Sequence, residues 1–230
     1  MTMTLEEIAA TSPWVDYRSA ISDTLLITFS SVQTQRGKFT PYVAVNDLPF
    51  CILRVNCPDS LWYIGGIPET DQMPGMLCRV INDFIHRMGF RKVVMFGGSK
   101  GGFGALDIGL RIRSDIIIST GAETVFGHPE GYAVNYVAPR RIDRATNNIA
   151  NWPAARQSRP RTLHLLFGVN TKIDHLFAAQ AKHLLGVEPV FLADCEHSVP
   201  QFVAKHYSLS KMIANLACSG QDAFLQAHRI

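Results

Sequence analysis

The chain has 230 residues, 47% of them hydrophobic and 18% charged, enough to bury one sizeable core, and it reads as a single domain over 1–230. Its formal net charge of +3 is spread without any long run of Lys or Arg, which removes the argument for a nucleic-acid partner. No apolar stretch has transmembrane length, and Met1 to Ala20, carrying Glu6, Glu7 and Asp16, lacks the basic start and apolar run of a secretory signal, so no membrane partner is expected. The five cysteines are odd in number and show no metal-ligand spacing, a pattern of reduced thiols in a cytoplasmic protein, each one a small buried hydrophobe.

After a polar start, Thr24 to Phe29 is a continuous apolar run of the kind that forms a strand covered on both faces. Ser30, Ser31 and the polar residues through Lys38 follow as a loop. Phe50 to Val55 is the next buried strand, and behind it comes a loop rich in aromatic and turn-forming residues, Asn56 to Gly66. Within that loop Trp62 and Tyr63 can wall a substrate cavity or pack into the core. Leu77, Val80, Ile81, Phe84, Ile85 and Met88 recur at three-and-four spacing, with Pro74 before and Gly89 after, and predict an amphipathic helix over Met76 to Met88.

Val93 to Phe96 predicts a strand, Phe103 to Ile112 a helix, and between them lies Gly97-Gly98-Ser99-Lys100-Gly101. A serine at the tip of so sharp a strand-to-helix turn is exposed and strained, and the residues two before and two after it approach closely enough to require glycine. The N–H of Lys100, at the start of the following helix, can point at an oxygen of a group attacked by Ser99. The same spacing also suits a glycine-rich turn that packs tightly or holds a phosphate.

Asp115 to Ser119 is a further strand. From about 124 to 160 the sheet periodicity is lost and Gly, Pro, Trp152 and several arginines (Arg140, Arg141, Arg144, Arg156, Arg159, then Arg161) take over, as in a cap-like insertion. Those arginines can meet a substrate phosphate or carboxylate, or form a solvated helix face. Thr162 to Phe167 resumes the sheet, Phe177 to Leu185 is helical, and Val190 to Ala193 is the last strand. The turn after it holds Asp194, Cys195, Glu196 and His197, and Phe202 to Ala217 is helical; the tail after Gly220 carries no clear pattern. Strands and helices alternate, which predicts an α/β fold with a mostly parallel sheet flanked by helices and functional loops at the C-terminal strand ends.

The order of these features, from about Thr24 to Ala217, resembles that of the α/β-hydrolases: an elbow at Gly97 to Gly101, an acid after the penultimate strand and a histidine after the last. The resemblance implies Ser99 as nucleophile, His197 as base and Asp174 as the acid, with Asp194 and Glu196 as rivals for that last role. Many members carry the acid nearer the strand end, where this chain has Asn170 and Thr171. It further implies that Ser30 or Ser31 supplies a second oxyanion N–H beside that of Lys100, unless those serines only close the strand end. The short N-terminal part implies a reduced fold without the antiparallel strands with which many members begin. Cys195 is a rival nucleophile without an elbow, and His86, His164, His183 and His206 read as structural.

The chemistry implied is acyl transfer through an acyl-Ser99 intermediate, with no metal and no bound cofactor. Its outcome is an esterase acting on a small-molecule or carbohydrate acyl ester. The alternatives are an O-acyltransferase to a carbohydrate or other alcohol, or a hydrolase-like binding protein without turnover. A looser likeness, in Lys100-Gly101-Gly102 and the aromatic loop, is to small hydrolase-like proteins that handle O-acyl groups on carbohydrates.

Overall fold

Seven strands pair into one sheet: β1 (Val15–Arg18), β2 (Thr24–Phe29), β3 (Cys51–Val55), β4 (Lys92–Gly98), β5 (Ile116–Thr120), β6 (Thr162–Gly168) and β7 (Val190–Leu192). The structure, a computed structural model, describes residues 3–70, 75–112, 114–158 and 162–230. Pro74, Arg159 and Arg161, singled out above, lie outside the described residues. The strand order is β1-β3-β2-β4-β5-β6-β7, parallel throughout except that β1 runs antiparallel to β3. The reduced start implied by the resemblance therefore keeps one antiparallel edge strand.

Ten helices among the described residues surround the sheet: α1 (Leu5–Thr11), α2 (Tyr42–Asn46), α3 (Met76–Met88), α4 (Lys100–Arg111), α5 (Pro139–Ala150), α6 (Trp152–Ser158), α7 (Lys172–Leu185), α8 (Val199–His206), α9 (Leu209–Ser219) and α10 (Ala223–His228). None is long and apolar enough to cross a membrane. Strands β2, β3, β4 and β5 are mostly apolar and buried along nearly their whole length because both faces are covered. Their alternation divides the core in two: Leu25, Ile27, Val93, Met95 and Ile117 join one cluster, while Leu26, Val94, Phe96, Ile116 and Ile118 join the other. The first cluster takes in α1, α3, α4 and α7; the second takes in α8, α9 and α10.

Helix α3 occupies the predicted span and ends in a left-handed Gly89, and it buries five of its six periodic apolar residues, the last, Met88, being exposed. The predicted helix over Phe202 to Ala217 is instead two, broken at Tyr207 and Ser208, where Ser208 accepts from the Lys211 N–H as the cap of α9. The tail after Gly220 forms α10 and then returns to the sheet edge, where Ala193 N–H donates to His228 O and Ile230 N–H to Phe191 O.

The sheet also fixes where a site can form. Successive connections from β2 run to opposite sides, with β3 on one flank and β4 on the other. A crevice opens at the C-terminal ends of strands flanking such a switch point, here beyond Phe29 and Gly98.

Candidate active site

Ser99 sits between β4 and α4 with φ 53° and ψ −118°, a backbone conformation that a non-glycine residue adopts only when its surroundings force it. The forcing is visible on both sides of it. Its N–H donates to Thr120 O at 2.8 Å and its carbonyl accepts from Phe103 N–H at 3.1 Å. A methyl on Gly97 would come within 2.0 Å of Gly101 O, and one on Gly101 within 2.1 Å of Phe29 O. These two glycines let strand, turn and helix close on one another.

His197 Nε2 lies 2.9 Å from Ser99 Oγ, and its Nδ1 lies 2.7 Å from Asp174 Oδ1. The three groups come from the connections that follow β4, β6 and β7, all at one end of the sheet. Asp174 is fully buried and stands in the first turn of α7, so one helical turn carries the carboxylate to the imidazole that a residue at Asn170 or Thr171 would reach directly. Of its rivals, Glu196 accepts from the Thr171 hydroxyl at 3.3 Å and Asp194 is exposed in a turn with φ 55°. The two loops that bring acid and base together are locked: Val169 N–H donates to Leu192 O and Asn170 N–H to Cys195 O.

Cys195 is buried and its thiol donates to Glu196 O. Burial, followed by the nearby Asp174 and Glu196 charges, pushes that thiol up to about 12, so it stays protonated and fails as a nucleophile. Cys51 and Cys57 are also buried, whereas Cys78 is half-buried and Cys218 is exposed, so the uniform burial expected of the cysteines does not extend to those two. His164 lies in β6, and burial lowers its pKa, in keeping with a structural role.

The residues expected around the oxyanion separate into two groups. Lys100 is the first residue of α4, where a backbone N–H has no carbonyl to meet within the helix. Its side chain turns away: Nζ is completely buried and donates to Cys57 O at 2.7 Å and Asp59 Oδ1 at 2.8 Å. Ser30 N–H is spent on Val55 O, while Ser31 N–H meets only a side chain, the Thr40 hydroxyl, at 3.0 Å. Ser31 also lines the cavity at Ser99, which Ser30 does not.

Trp62 and Tyr63 do not wall that cavity. Both are buried, at positive φ, beneath the elbow: the Tyr63 hydroxyl lies 3.0 Å from both Ser30 O and Val55 O, and its ring meets Phe29 edge-on. Trp62 stacks on Tyr136. Their loop binds strand ends together, a packing role that composition alone cannot separate from a substrate wall.

The wall comes from a stretch between the predicted loop through Lys38 and the strand at Phe50, for which the sequence carries no assignment, and from the predicted helical segment after Pro200. The cavity, about 480 Å³, opens at Ser99 and His197 between the stretch Phe39 to Ala44, which includes the start of α2, and α8 with the start of α9. Arg54, buried on β3, holds α2 in place through Asn46 Oδ1 at 3.0 Å and by lying 4.4 Å from the Tyr42 ring centre. The segment expected to cap the site packs elsewhere. Trp152 Nε1 donates to Asp107 Oδ1 at 3.0 Å, its ring meets Phe103, and α6 packs against α4 and α7. Arg140, Arg141, Arg144 and Arg156 do not line the cavity, and Arg144 packs over Gly65 instead.

One residue of that segment does reach the site. The Tyr132 ring lies 4.2 Å from the His197 ring at 30°, and the turn carrying it is fixed by Glu123, which accepts from Tyr132 N–H at 3.0 Å and Ala133 N–H at 2.8 Å. Burial raises the Glu123 carboxyl to about 7, against the lowering pull of those two N–H groups and of His197. Between about pH 4.5 and pH 7 the folded chain therefore holds a proton that the unfolded chain has released, so this group's contribution to stability falls as pH rises through that window. Glu123→Gln removes the titration. In denaturant unfolding, the wild type should lose about 2–3 kcal/mol relative to that variant between pH 4.5 and pH 8. A difference that stays level across this range would contradict the assignment.

No family model matches the sequence, and no curated protein matches it either. Solved structures do match in fold. The capsule O-acetyltransferase of Neisseria meningitidis serogroup A superposes with a TM-score of 0.66 at 15% identity, over 87% of this chain and 91% of that one. A monoacylglycerol lipase from Paleococcus ferrophilus gives 0.60 at 10% identity, over 89% and 98%. An acetyl xylan esterase from Paenibacillus sp. R4 gives 0.55 at 15% identity, over 92% and 77%.

Proposed function

We propose that this chain, whose fold is that of the α/β-hydrolases, is a serine-dependent acyl hydrolase of the esterase type. The observation that carries the reading is the unbroken hydrogen-bonded series Ser99, His197, Asp174 at the mouth of a cavity. Fold likeness at such low identity adds a scaffold on which this chemistry is familiar, and no more.

In the cycle that this geometry supports, neutral His197 holds its proton on Nδ1, donated to Asp174, and accepts the Ser99 hydroxyl proton at Nε2. Ser99 Oγ bonds to the carbonyl carbon of the ester, and the oxygen that gains charge faces the Lys100 N–H. Ser31 N–H, exchanging the Thr40 hydroxyl for that oxygen, is the second donor. Collapse breaks the ester bond, the departing alkoxide takes the proton from His197 Nε2, and an acyl-Ser99 remains. Water then gives a proton to His197 as it attacks, and the carboxylic acid leaves as Ser99 recovers its proton.

A second outcome has one observation in its favour, that a capsule O-acetyltransferase is among the structural neighbours. In that version the hydroxyl of a carbohydrate or other alcohol takes the place of water in the second half. Product analysis with and without alcohol acceptors separates the two.

The direct test is labelling with a fluorophosphonate. One equivalent should bind the folded protein, at Ser99, with parallel loss of activity toward a p-nitrophenyl ester, and Ser99→Ala should not label. An unlabelled wild type, or equal labelling of the alanine variant, would leave a hydrolase-like binding protein as the better reading.

A further inference from the structure

The cavity beside Ser99 is larger and drier than an acetyl group needs. Its volume of about 480 Å³ lies in the range that encloses a whole small molecule. Its walls are mainly apolar, from Phe96 on β4 to Ala204 on α8 and Leu209 on α9, and among the described residues its polar groups, Ser99 and His197 included, hold no Lys, Arg, Asp or Glu. A charged moiety placed there would lose its water without gaining a partner. The apolar surface also continues outward, because Val43 on α2 lines the cavity and yet is 85% exposed, while its neighbour Tyr42 is half-exposed. A chain entering past Val43 remains on apolar surface from solvent to the nucleophile.

We infer that this cavity receives the alkyl chain of an uncharged ester, so that the preferred substrates carry a medium-length apolar chain rather than a bare acetyl group. This inference rests on the esterase reading of Ser99. The chain can belong to the acyl half or to the alcohol half of the ester, and both present the same chemistry to the walls. Each methylene that moves from water onto them should raise kcat/KM about threefold to fourfold until the cavity is full.

Two substrate series test it on the intact protein: p-nitrophenyl esters from acetate to decanoate, and acetates of alcohols from ethanol to decanol. Rising kcat/KM in the first series places the acyl chain in the cavity, and a rise in the second alone places the alkoxy chain there. From butanoate to octanoate, four methylenes, the expected gain is about 80-fold to 250-fold. Ala204→Trp, which narrows the cavity, should lower the long-to-short-chain ratio at least tenfold in whichever series rises, octanoate to acetate or decyl to ethyl acetate. Val43→Glu, at an exposed position that folding does not depend on, should lower the same ratio severalfold.

If Ser99 labels and acetate is turned over, but neither series rises with chain length, the inference is overturned and the esterase reading stands. A ratio that neither substitution moves, in variants whose thermal unfolding matches the wild type, overturns it as well. If Ser99 does not label and no ester is turned over, the esterase reading itself has failed and this one falls with it.

Discussion

His197→Ala is expected to lower kcat for ester hydrolysis by about a millionfold. Among the described residues the imidazole is the only group within hydrogen-bond distance of Ser99 Oγ that can take its proton, at 2.9 Å, and without it the hydroxyl is left near its ordinary weak nucleophilicity. The same variant should react with a fluorophosphonate at a vanishing rate, because labelling uses the same activated oxygen. Thermal unfolding should be followed beside the kinetics, since the imidazole is also the partner of the fully buried Asp174 carboxylate. Combining His197→Ala with Ser99→Ala should cost little beyond either alone, because groups that act as a unit are lost together. A double variant ten thousandfold slower than each single one would mean that the two residues act separately.

Asp174→Asn is the second large effect, about ten-thousandfold in kcat. The carboxylate fixes the proton on His197 Nδ1; an amide in its place presents a donor or forces the imidazole to carry its proton on Nε2, where it can no longer accept from Ser99. The substitution keeps the shape of a side chain that is fully buried, and Asp174 Oδ2 meets no hydrogen-bond partner among the described residues. Stability should therefore move far less than rate. Asp194→Asn and Glu196→Gln serve as the contrast, each expected within about threefold of wild type, because neither reaches the imidazole. Steady-state kinetics on all three variants decides the matter, and a loss at Glu196 comparable to that at Asp174 would reassign the acid.

Much of the framework was legible because its signals are local. A strand buried on both faces must be mainly apolar, as Val93 to Phe96 is and as Leu25 to Phe29 is apart from Thr28, and a helix against such a sheet must repeat its apolar face as α3 does. The elbow was legible for the same reason, since Gly97 and Gly101 answer to contacts within a few residues of Ser99 and at the adjacent end of β2. What escaped depends on partners distant in sequence. Strand β1 is four residues long with half-buried side chains, and only pairing with β3 makes it a strand. Trp62 and Tyr63 have the composition of a binding wall, but the chain bends there at positive φ and turns both rings inward. The true wall, Phe39 to Ala44, is short and offers no periodicity to read; its place is set by Arg54, a buried cation in the middle of an apolar strand. An arginine in such a run was the available signal, since a charge is buried there only when partners are waiting for it.

The locked pair of loops after β6 and β7 has a bearing on how this protein would fail. Val169 and Asn170 hang their amides on the strand-end that also carries His197, and Gly168 lies so close beneath it that a methyl there would sit 2.0 Å from Glu196 O. Asp174 and His197 thus ride on one small body, whereas Ser99 is anchored separately in the centre of the sheet. Loosening that body would part the serine from both partners at once, as an on-off event instead of a gradual decline. Hydrogen exchange should register it as a shared opening of the Val169 and Asn170 amides, well before the central strands yield.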